Sequence, residues 1–188
     1  MISRGTTILL TGPPGAGKTT TAHLWTAVRK KPAFPLDWDQ ITSTVVVADE
    51  LRGLPSSSPH EQYGFGARVA AAEAKWITRS GVDCVLVGAR APFPPPELAA
   101  VWEPLDELDP VTIVLLPRAD VCVARNAADA ARIGEFAVPE EHVRGSFDMW
   151  HWERWSELPR AAVLDNSDMS QLEVVDELDR LVDQLTSS

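Results

Sequence analysis

Eight residues near the start of the chain have the types and the spacing of a phosphate-binding loop. Residues 12–19 read GPPGAGKT, which fits the pattern G-x-x-x-x-G-K-[ST]. Glycines let the backbone curl around an anion without a Cβ in the way. Consecutive amides then point inward and meet the positive end of a helix dipole. The pattern therefore predicts that this segment holds nucleotide phosphates.

Individual residues of the loop have different predicted roles. Pro13 and Pro14 have no amide proton, so the donors are the amides of residues 15–20. The Lys18 ammonium is expected to reach the β and γ phosphates, and the Thr19 hydroxyl to ligate Mg²⁺. ATP and Mg²⁺ are the predicted cofactors, with ATP against GTP left open. The predicted cofactor-binding residues of this segment are Gly12, Gly15, Ala16, Gly17, Lys18, Thr19 and Thr20.

Two aspartates follow the second strand candidate and are the nearest carboxylates to this loop along the chain. Asp37 and Asp39 flank Trp38. A carboxylate at this place orients or deprotonates the hydroxyl that accepts a phosphoryl group. Either aspartate could instead cap the next helix, because Asp is a common N-cap residue. The residues alone leave open which of the two is the base.

Arginines could neutralise the charge that spreads over a transferred phosphoryl group, and a mobile lid usually carries them. Arg125 and Arg132 are seven residues apart, which places both on one face of a helix. They could instead be ordinary solvated arginines. Arg90 and Arg118 follow the third and fourth strand candidates, at the carboxyl ends of strands, where ligands bind in parallel sheets.

The chain is rich in tryptophan, with seven in 188 residues. Trp38 is predicted to line the acceptor pocket because it adjoins both aspartates. Trp150, Trp152 and Trp155 share one segment, and packing in the core is the expectation for them. Arg68, with Tyr63 and Phe65, is placed on the cleft side of a long helix. The candidate acceptor-binding residues are Asp37, Trp38, Asp39, Arg68 and Arg90.

Strand and helix patterns alternate along the whole chain. Apolar runs predict strands at 6–11, 33–36, 84–88, 111–116 and 161–164. Helices are predicted at 18–30, 41–51, 58–79, 96–105, 119–131, from 139 onward and at about 171–185. This alternation predicts an α/β fold of three layers, with a five-stranded parallel sheet covered by helices on both faces. The expectation is a single domain over 1–188 with a small lid at about 125–140.

Composition narrows the possible partners. The net charge of −10 argues against nucleic acid, whose partners usually carry a basic stripe. Cys84 and Cys122 lie in apolar runs and are predicted to be small buried hydrophobes. The apolar runs are too short for a signal peptide or a membrane span, so the prediction is a cytoplasmic protein. A monomer and a homodimer both remain open.

Four motifs together resemble the small-molecule P-loop kinases grouped around chloramphenicol phosphotransferase, zeta toxins and gluconate kinase. They are GPPGAGKTT near the start, LDWDQI, VARNAADAARIG and LDNSDMS. The resemblance implies that Asp39 is the catalytic base, that Arg125 and Arg132 are lid arginines, and that Asn166 lies in the loop beside the adenine. One departure concerns the third strand, which ends Val87-Gly88-Ala89-Arg90 where many relatives carry an acidic residue that helps to hold the metal.

These observations predict an ATP-dependent phosphotransferase that moves the γ-phosphate to a hydroxyl of a small molecule. The acceptor could be an antibiotic, a nucleoside, a sugar or an amino acid, and the resemblance suggests antibiotic resistance or natural-product biosynthesis. A nucleoside or nucleotide kinase is the second reading. The third is a nucleotide-dependent regulatory module, or a zeta-like toxin with a partner antitoxin. A GTPase is disfavoured because the guanine-reading Asn/Thr-Lys-x-Asp element does not occur.

Overall fold

Five parallel strands form the central sheet. The computed structural model describes residues 4–42, 59–94, 96–133 and 138–187, with the side chains of 59–62, 96–98 and 130–133 excepted. The strands are β1 (Thr7–Thr11), β2 (Ala33–Asp37), β3 (Asp83–Val87), β4 (Val111–Leu115) and β5 (Ala161–Leu164), in the spatial order β2-β3-β1-β4-β5. Leu9 of β1 pairs with Leu86 of β3 on one side and with Thr112 of β4 on the other. The phosphate-binding loop therefore leaves the sheet from its central strand.

Helices cover both faces of this sheet. They are α1 (Lys18–Val28), α2 (Pro59–Arg79), α3 (Pro96–Asp106), α4 (Ala119–Ile133), α5 (Glu140–Trp150) and α6 (Gln171–Thr186), with a 3₁₀ helix at Trp152–Glu157. Ile8 and Leu10 pack on one face, in a core with Trp25 of α1 and Leu178 of α6. Leu9 points to the other face, whose core contains α2, α3 and the 3₁₀ helix. The alternation of side chains along β1 thus divides the interior into two cores.

The predicted fold class is confirmed, and its strands are placed to within two residues. Helix α1 ends at Val28 rather than at residue 30, because Arg29 adopts an extended backbone with φ −69° and ψ 141°. Residues 38–42 are helical, and the rest of the helix predicted at 41–51 lies outside the described residues. Helix α4 continues to Ile133, so the first part of the predicted lid is regular helix. Residues 134–137 of that lid also lie outside the described residues.

A buried carboxylate ties the other end of the sheet together. Asp83, at the start of β3, accepts hydrogen bonds from the Thr6 amide at 2.7 Å and from Arg29 and Lys31 at 2.8 Å each. A buried ionised carboxylate needs such partners. The role of Asp83 is therefore structural, and it lies at the opposite end of β3 from Arg90, as the sequence indicates.

Two further expectations concern side-chain burial and membranes. Cys84 and Cys122 are both buried and unbridged, as predicted. Burial raises the pKa of the Cys84 thiol to about 12 and that of Cys122 to about 11. In the part of the chain that the structure describes, every helix is too short or too polar to cross a bilayer.

Candidate functional site

The phosphate-binding loop connects β1 to α1 and is pressed closely against the rest of the domain. Gly12 has φ 144° and Gly15 has φ 78°. A Cβ on Gly12 would lie 2.2 Å from the carbonyl oxygen of Leu115, and one on Gly15 would lie 2.2 Å from that of Cys122. Glycine is therefore required at both positions for conformational and for steric reasons. The cradle predicted from the motif is formed by the backbone itself.

Lys18 lies folded across this loop. Its ammonium donates to the carbonyl oxygens of Gly12 and Pro13, each at 3.0 Å. Burial lowers the pKa of Lys18, and the nearby carboxylates of Asp39 and Asp37 oppose that shift. The ammonium is thus held at the mouth of the loop, where the motif requires a cation for the terminal phosphates.

Asp37 faces the first turn of α1. One carboxylate oxygen of Asp37 accepts a hydrogen bond from the Thr19 hydroxyl at 3.4 Å, and the other accepts from the Gln40 amide at 3.1 Å. Asp37 therefore caps the helical segment 38–42, which is the alternative role considered for both aspartates. It also places a carboxylate oxygen next to the hydroxyl that is predicted to bind Mg²⁺.

The Thr19 hydroxyl and the Asp37 carboxylate are oxygen donors of the kind that magnesium prefers. Mg²⁺ is usually held by one or two protein oxygens together with phosphates and water, rather than by a cage of side chains. Among the described residues, His, Cys, Asp and Glu form no cluster of three that could hold a metal. No carboxylate directly follows β3, but Asp37 ends the neighbouring strand β2, opposite Val87 of β3. Asp37 can therefore supply the carboxylate oxygen that the end of β3 lacks.

Asp39 differs from Asp37 in its surroundings. It is accessible to solvent and, among the described residues, accepts no hydrogen bond. Although the side chain reaches solvent, the protein atoms around it displace part of its hydration and so raise the pKa of Asp39. The Lys18 ammonium opposes that rise, and the Asp37 carboxylate adds to it. Asp39 is thus the carboxylate that remains available to a proton, next to the lysine of the loop.

A cavity of about 210 Å³ lies on the other side of the loop. Residues 15–17, Thr20, Arg125 and Asn166 contribute to its wall. The buried Asn166 side chain donates to the carbonyl oxygen of Ala16 at 3.0 Å, across 150 positions of sequence. This contact joins the loop after β5 to the phosphate-binding loop, so the cavity continues directly from the phosphate cradle. Its wall contains Asn166, which the resemblance places beside the adenine.

Arg125 and Arg118 hold the loop after β5 in place. The Arg125 guanidinium donates to the carbonyl oxygens of Asn166 at 2.9 Å and Ser167 at 3.4 Å. Arg118 donates through its side chain to both carboxylate oxygens of Asp168, at 2.8 and 3.0 Å. Sequence reasoning missed the partners of both arginines. These contacts favour the predicted cofactor-binding role of Arg125 over its predicted catalytic role, and the side chain of Arg132 lies outside the described part.

The candidate acceptor residues are distributed between core and surface. Arg90 is buried, bonds to the carboxylate of Asp106, and lies 5.1 Å from the ring centroid of Trp155 and 5.9 Å from that of Trp102. Burial lowers the pKa of Arg90, and Asp106 opposes that shift. Its charge is therefore already paired. Arg68 is exposed on α2, with its guanidinium 5.9 Å from the ring of Phe65.

Trp38 is part of the core. Only 2% of its surface is exposed, and a Cβ on Gly88 would lie 2.8 Å from its ring. Its ring makes edge contacts with Tyr63 and Trp102, each at a centroid distance of 6.4 Å. The prediction that Trp38 lines a pocket gains no support from this burial. Instead, Trp38 anchors the chain segment that carries both aspartates.

The fold and the phosphate cradle define an α/β protein of the P-loop class. The chain matches no protein-family model, and a search of curated proteins finds no relative either. Solved structures share its fold. The tunicamycin resistance protein of Deinococcus radiodurans is 17% identical, with a TM-score of 0.66 over 95% of this chain and 96% of that one.

Two other solved structures carry kinase names. A sugar kinase from Janibacter sp. is 19% identical, with a TM-score of 0.65 over 95% of each chain. A shikimate kinase from Acinetobacter baumannii, in complex with shikimate, is 15% identical, with a TM-score of 0.61 over 97% of this chain and 96% of that one. These likenesses establish the fold. The narrower resemblance to chloramphenicol phosphotransferase and zeta toxins stays a prediction.

Proposed function

We propose that the protein is an ATP-dependent phosphotransferase that acts on a hydroxyl group of a small molecule. The observation that carries the proposal is the convergence of Lys18 and Thr19 with Asp37 and Asp39 at the carboxyl ends of β1 and β2. A nucleotide-binding module without turnover needs the first pair but has no use for a second carboxylate beside the lysine.

The cofactors fit the residues present. When bound, ATP supplies the γ-phosphoryl group, and Mg²⁺ neutralises part of its charge. The loop amides and Lys18 would bind the phosphates, and Thr19 and Asp37 are the residues that would hold the metal. Asn166 and Arg125 line the cavity that would receive the nucleotide base.

Asp39 is assigned as the general base. Both carboxylate oxygens of Asp37 accept hydrogen bonds, one from Thr19 and one from the Gln40 amide. Asp39 instead interacts with the Lys18 ammonium by electrostatic attraction, without a hydrogen bond between them. A raised pKa brings a carboxylate closer to the pKa that suits proton abstraction near neutral pH. Asp39 therefore takes the acceptor's proton while Asp37 serves the metal.

The named kinases of the same fold support the general activity and not the acceptor. One is named a sugar kinase, and another contains shikimate. Sugars and shikimate both carry hydroxyl groups. The tunicamycin resistance protein makes a role in antibiotic resistance a reasonable extension. We further propose a cytoplasmic location, where ATP and magnesium are available.

Exchange of each aspartate for asparagine tests the proposal. In the Asp39→Asn variant, transfer should fall by about a hundredfold or more, because a positioned general base contributes roughly 10² to 10⁴ in rate. Affinity for MgATP, measured by calorimetry, should stay the same. Product is detected by mass spectrometry as the added phosphate, after a screen of hydroxyl compounds for ATP consumption.

Asp176→Asn is the matched control, since Asp176 is exposed on α6 and should change neither quantity. Transfer that persists in both the Asp39→Asn and the Asp37→Asn variants would show that the base is misassigned. If folded wild-type protein gives no calorimetric binding of MgATP, the proposed function itself is wrong.

A further inference from the structure

The cavity of about 210 Å³ described above, at the place proposed for the nucleotide base, is the base-side cavity. A second cavity, of about 380 Å³, lies beside the phosphate-binding loop and shares no wall residue with the base-side cavity. Pro14 of the loop and Ala89, which follows β3, form one side. One face of α5 forms the other, with Gly145 and Met149 a turn apart on it. A Cβ on Gly145 would meet nothing within 4 Å. Gly145 therefore leaves open space at the position where another residue would place a side chain.

Aromatic contacts connect this cavity to the two aspartates. Trp150 and Trp152 belong to its wall, with ring centroids 5.0 Å apart and planes inclined by 34°. Trp150 contacts Trp102 at 6.1 Å, and Trp102 contacts Trp38 at 6.4 Å. Trp38 lies between Asp37 and Asp39 in the chain. One continuous aromatic cluster therefore links the wall of this cavity to the chain segment that carries Asp39, the proposed general base.

The wall is mostly apolar and, among the described residues, contains no lysine or arginine. Its polar members are Glu141, His142 and Ser146, and the Ser146 hydroxyl already donates to the Val143 carbonyl at 2.7 Å. An occupant would bury apolar surface against proline, methionine and indole, which contributes roughly 25 cal/mol per Å². Trp152 is only 1% exposed, so the partly exposed ring of Trp150 is the aromatic surface that an occupant would contact. A flat ring is the shape that packs best against such a surface.

The arginines on the surrounding elements are already paired with carboxylates. Arg144 bonds to Glu140 at 2.7 Å, and Arg154 bonds to Glu157 at 3.1 Å. Arg90 is buried and bonds to Asp106. An acceptor with a carboxylate, sulfate or phosphate group would therefore meet the Glu141 carboxylate, and no lysine or arginine of the described wall would balance its charge.

We propose that this cavity binds the acceptor and that the acceptor is an uncharged alcohol with an apolar, ring-bearing body. The inference rests on the proposed phosphotransferase activity and names the substrate class for it. The hydroxyl oxygen of the acceptor forms a bond to the γ-phosphorus of ATP, while the bond from that phosphorus to the ADP oxygen breaks. The hydroxyl proton passes to the Asp39 carboxylate. The products are a phosphate monoester and ADP.

Binding of three probes tests this substrate class. They are naphthylethanol, its ring-carboxylated analogue, and glucose, each titrated against the full chain by ligand-detected NMR. Naphthylethanol should bind saturably and at least about tenfold more tightly than either of the others, a difference of about 1.4 kcal/mol. Failure of naphthylethanol to saturate, or tighter binding of the carboxylated analogue or of glucose, would overturn the proposal.

Two leucine substitutions on α5 locate the binding. Gly145→Leu places a side chain in the open space that this glycine leaves in the cavity wall. It should weaken naphthylethanol binding at least about tenfold, while MgATP affinity stays the same. Asp148→Leu adds the same side chain at an exposed position of α5 outside the wall and should leave binding within about twofold. Equal affinities in the two variants would overturn the assignment. Binding that follows this pattern without phosphorylated product on addition of MgATP would instead refute the proposed function.

Discussion

At the scale of single residues, three charges share the mouth of the phosphate-binding loop. Lys18 lowers the pKa of Asp39, whereas Asp37 raises it, and burial raises it most. The same carboxylates favour the charged form of Lys18, against the effect of its burial. Because these groups are coupled, a change of charge at one of them must move the titration of the others.

The pH dependence of the reaction follows from the raised pKa of Asp39. A base works only when deprotonated, so activity should be lost as pH falls through that pKa, and the acidic limb should lie above the ordinary value of 3.8. Asp37→Asn removes a like charge, which should lower the pKa of Asp39 and move the limb to lower pH. The measurement is the pH profile of kcat/KM for MgATP, which reports ionisations of the enzyme before the nucleotide binds.

Loss of a proposed metal ligand makes the Asp37→Asn enzyme slower, so the informative quantity is the position of the limb and not its height. The Asp176→Asn enzyme should keep the wild-type profile. A limb that stays in place, or moves to higher pH, in Asp37→Asn would contradict the coupling of the two aspartates.

At the scale of the elements, the end of β2 is positioned by tryptophan rather than by hydrogen bonds alone. Trp38 packs where Gly88 after β3 and Gly66 on α2 leave room: a Cβ would lie 2.8 Å from the ring at Gly88 and 3.2 Å from the indole nitrogen at Gly66. Asp37 directly precedes Trp38 in the chain, and Asp39 directly follows it. Their geometry therefore depends on glycines that lie far away in the sequence.

Gly88→Ala tests this dependence. The added methyl must displace the Trp38 ring, which should cost about 1 to 3 kcal/mol of stability by overpacking. A shift of about 1 Å in the aspartates can lower the rate about a hundredfold, whereas MgATP binding should be largely preserved. Urea unfolding and single-turnover transfer measure the two effects.

Gly64→Ala is the control on α2, because a Cβ there makes only an ordinary contact of 3.6 Å with Arg68. It should keep wild-type activity and gain slightly in helix stability. Unchanged transfer in Gly88→Ala would show that Trp38 does not position the aspartates.

The elements also show how far sequence reasoning reaches. The strands could be predicted because apolar runs such as 84–87 are buried on both faces of a parallel sheet, and the phosphate-binding loop because its motif is local. The partners of Arg90 and Trp38 could not be predicted from the sequence. Asp106 is 16 positions from Arg90, and Gly66 and Gly88 are 28 and 50 positions from Trp38, so only the packing of α2, α3 and the sheet brings them together. The acceptor cavity was missed for the same reason.

At the scale of the whole molecule, the central position of β1 divides the ligand sites. The base-side cavity lies toward α4 and α6, and the acceptor cavity lies toward α5 and the end of β3. Strands β4 and β5 are on one side of β1, and β3 and β2 are on the other. A triphosphate in the loop would therefore contact both halves of the domain, as expected where connections leave a parallel sheet in opposite directions.

Nucleotide binding should consequently stabilise the whole fold. A ligand that binds only the folded state at a concentration about a hundredfold above its Kd adds about 2.7 kcal/mol. For a chain of this length, each kcal/mol raises the Tm by about 2 to 4 °C, so saturating MgATP should raise it by roughly 5 to 10 °C. Lys18→Ala removes the ammonium that is proposed to bind the terminal phosphates, so most of the shift should disappear. Asn166→Ala breaks the contact to Ala16 and should lower the ligand-free Tm, with a smaller shift on binding. An equal shift in Lys18→Ala and the wild type would mean that the nucleotide binds elsewhere on the molecule, because a loop that lacks its only lysine cannot hold a triphosphate equally well.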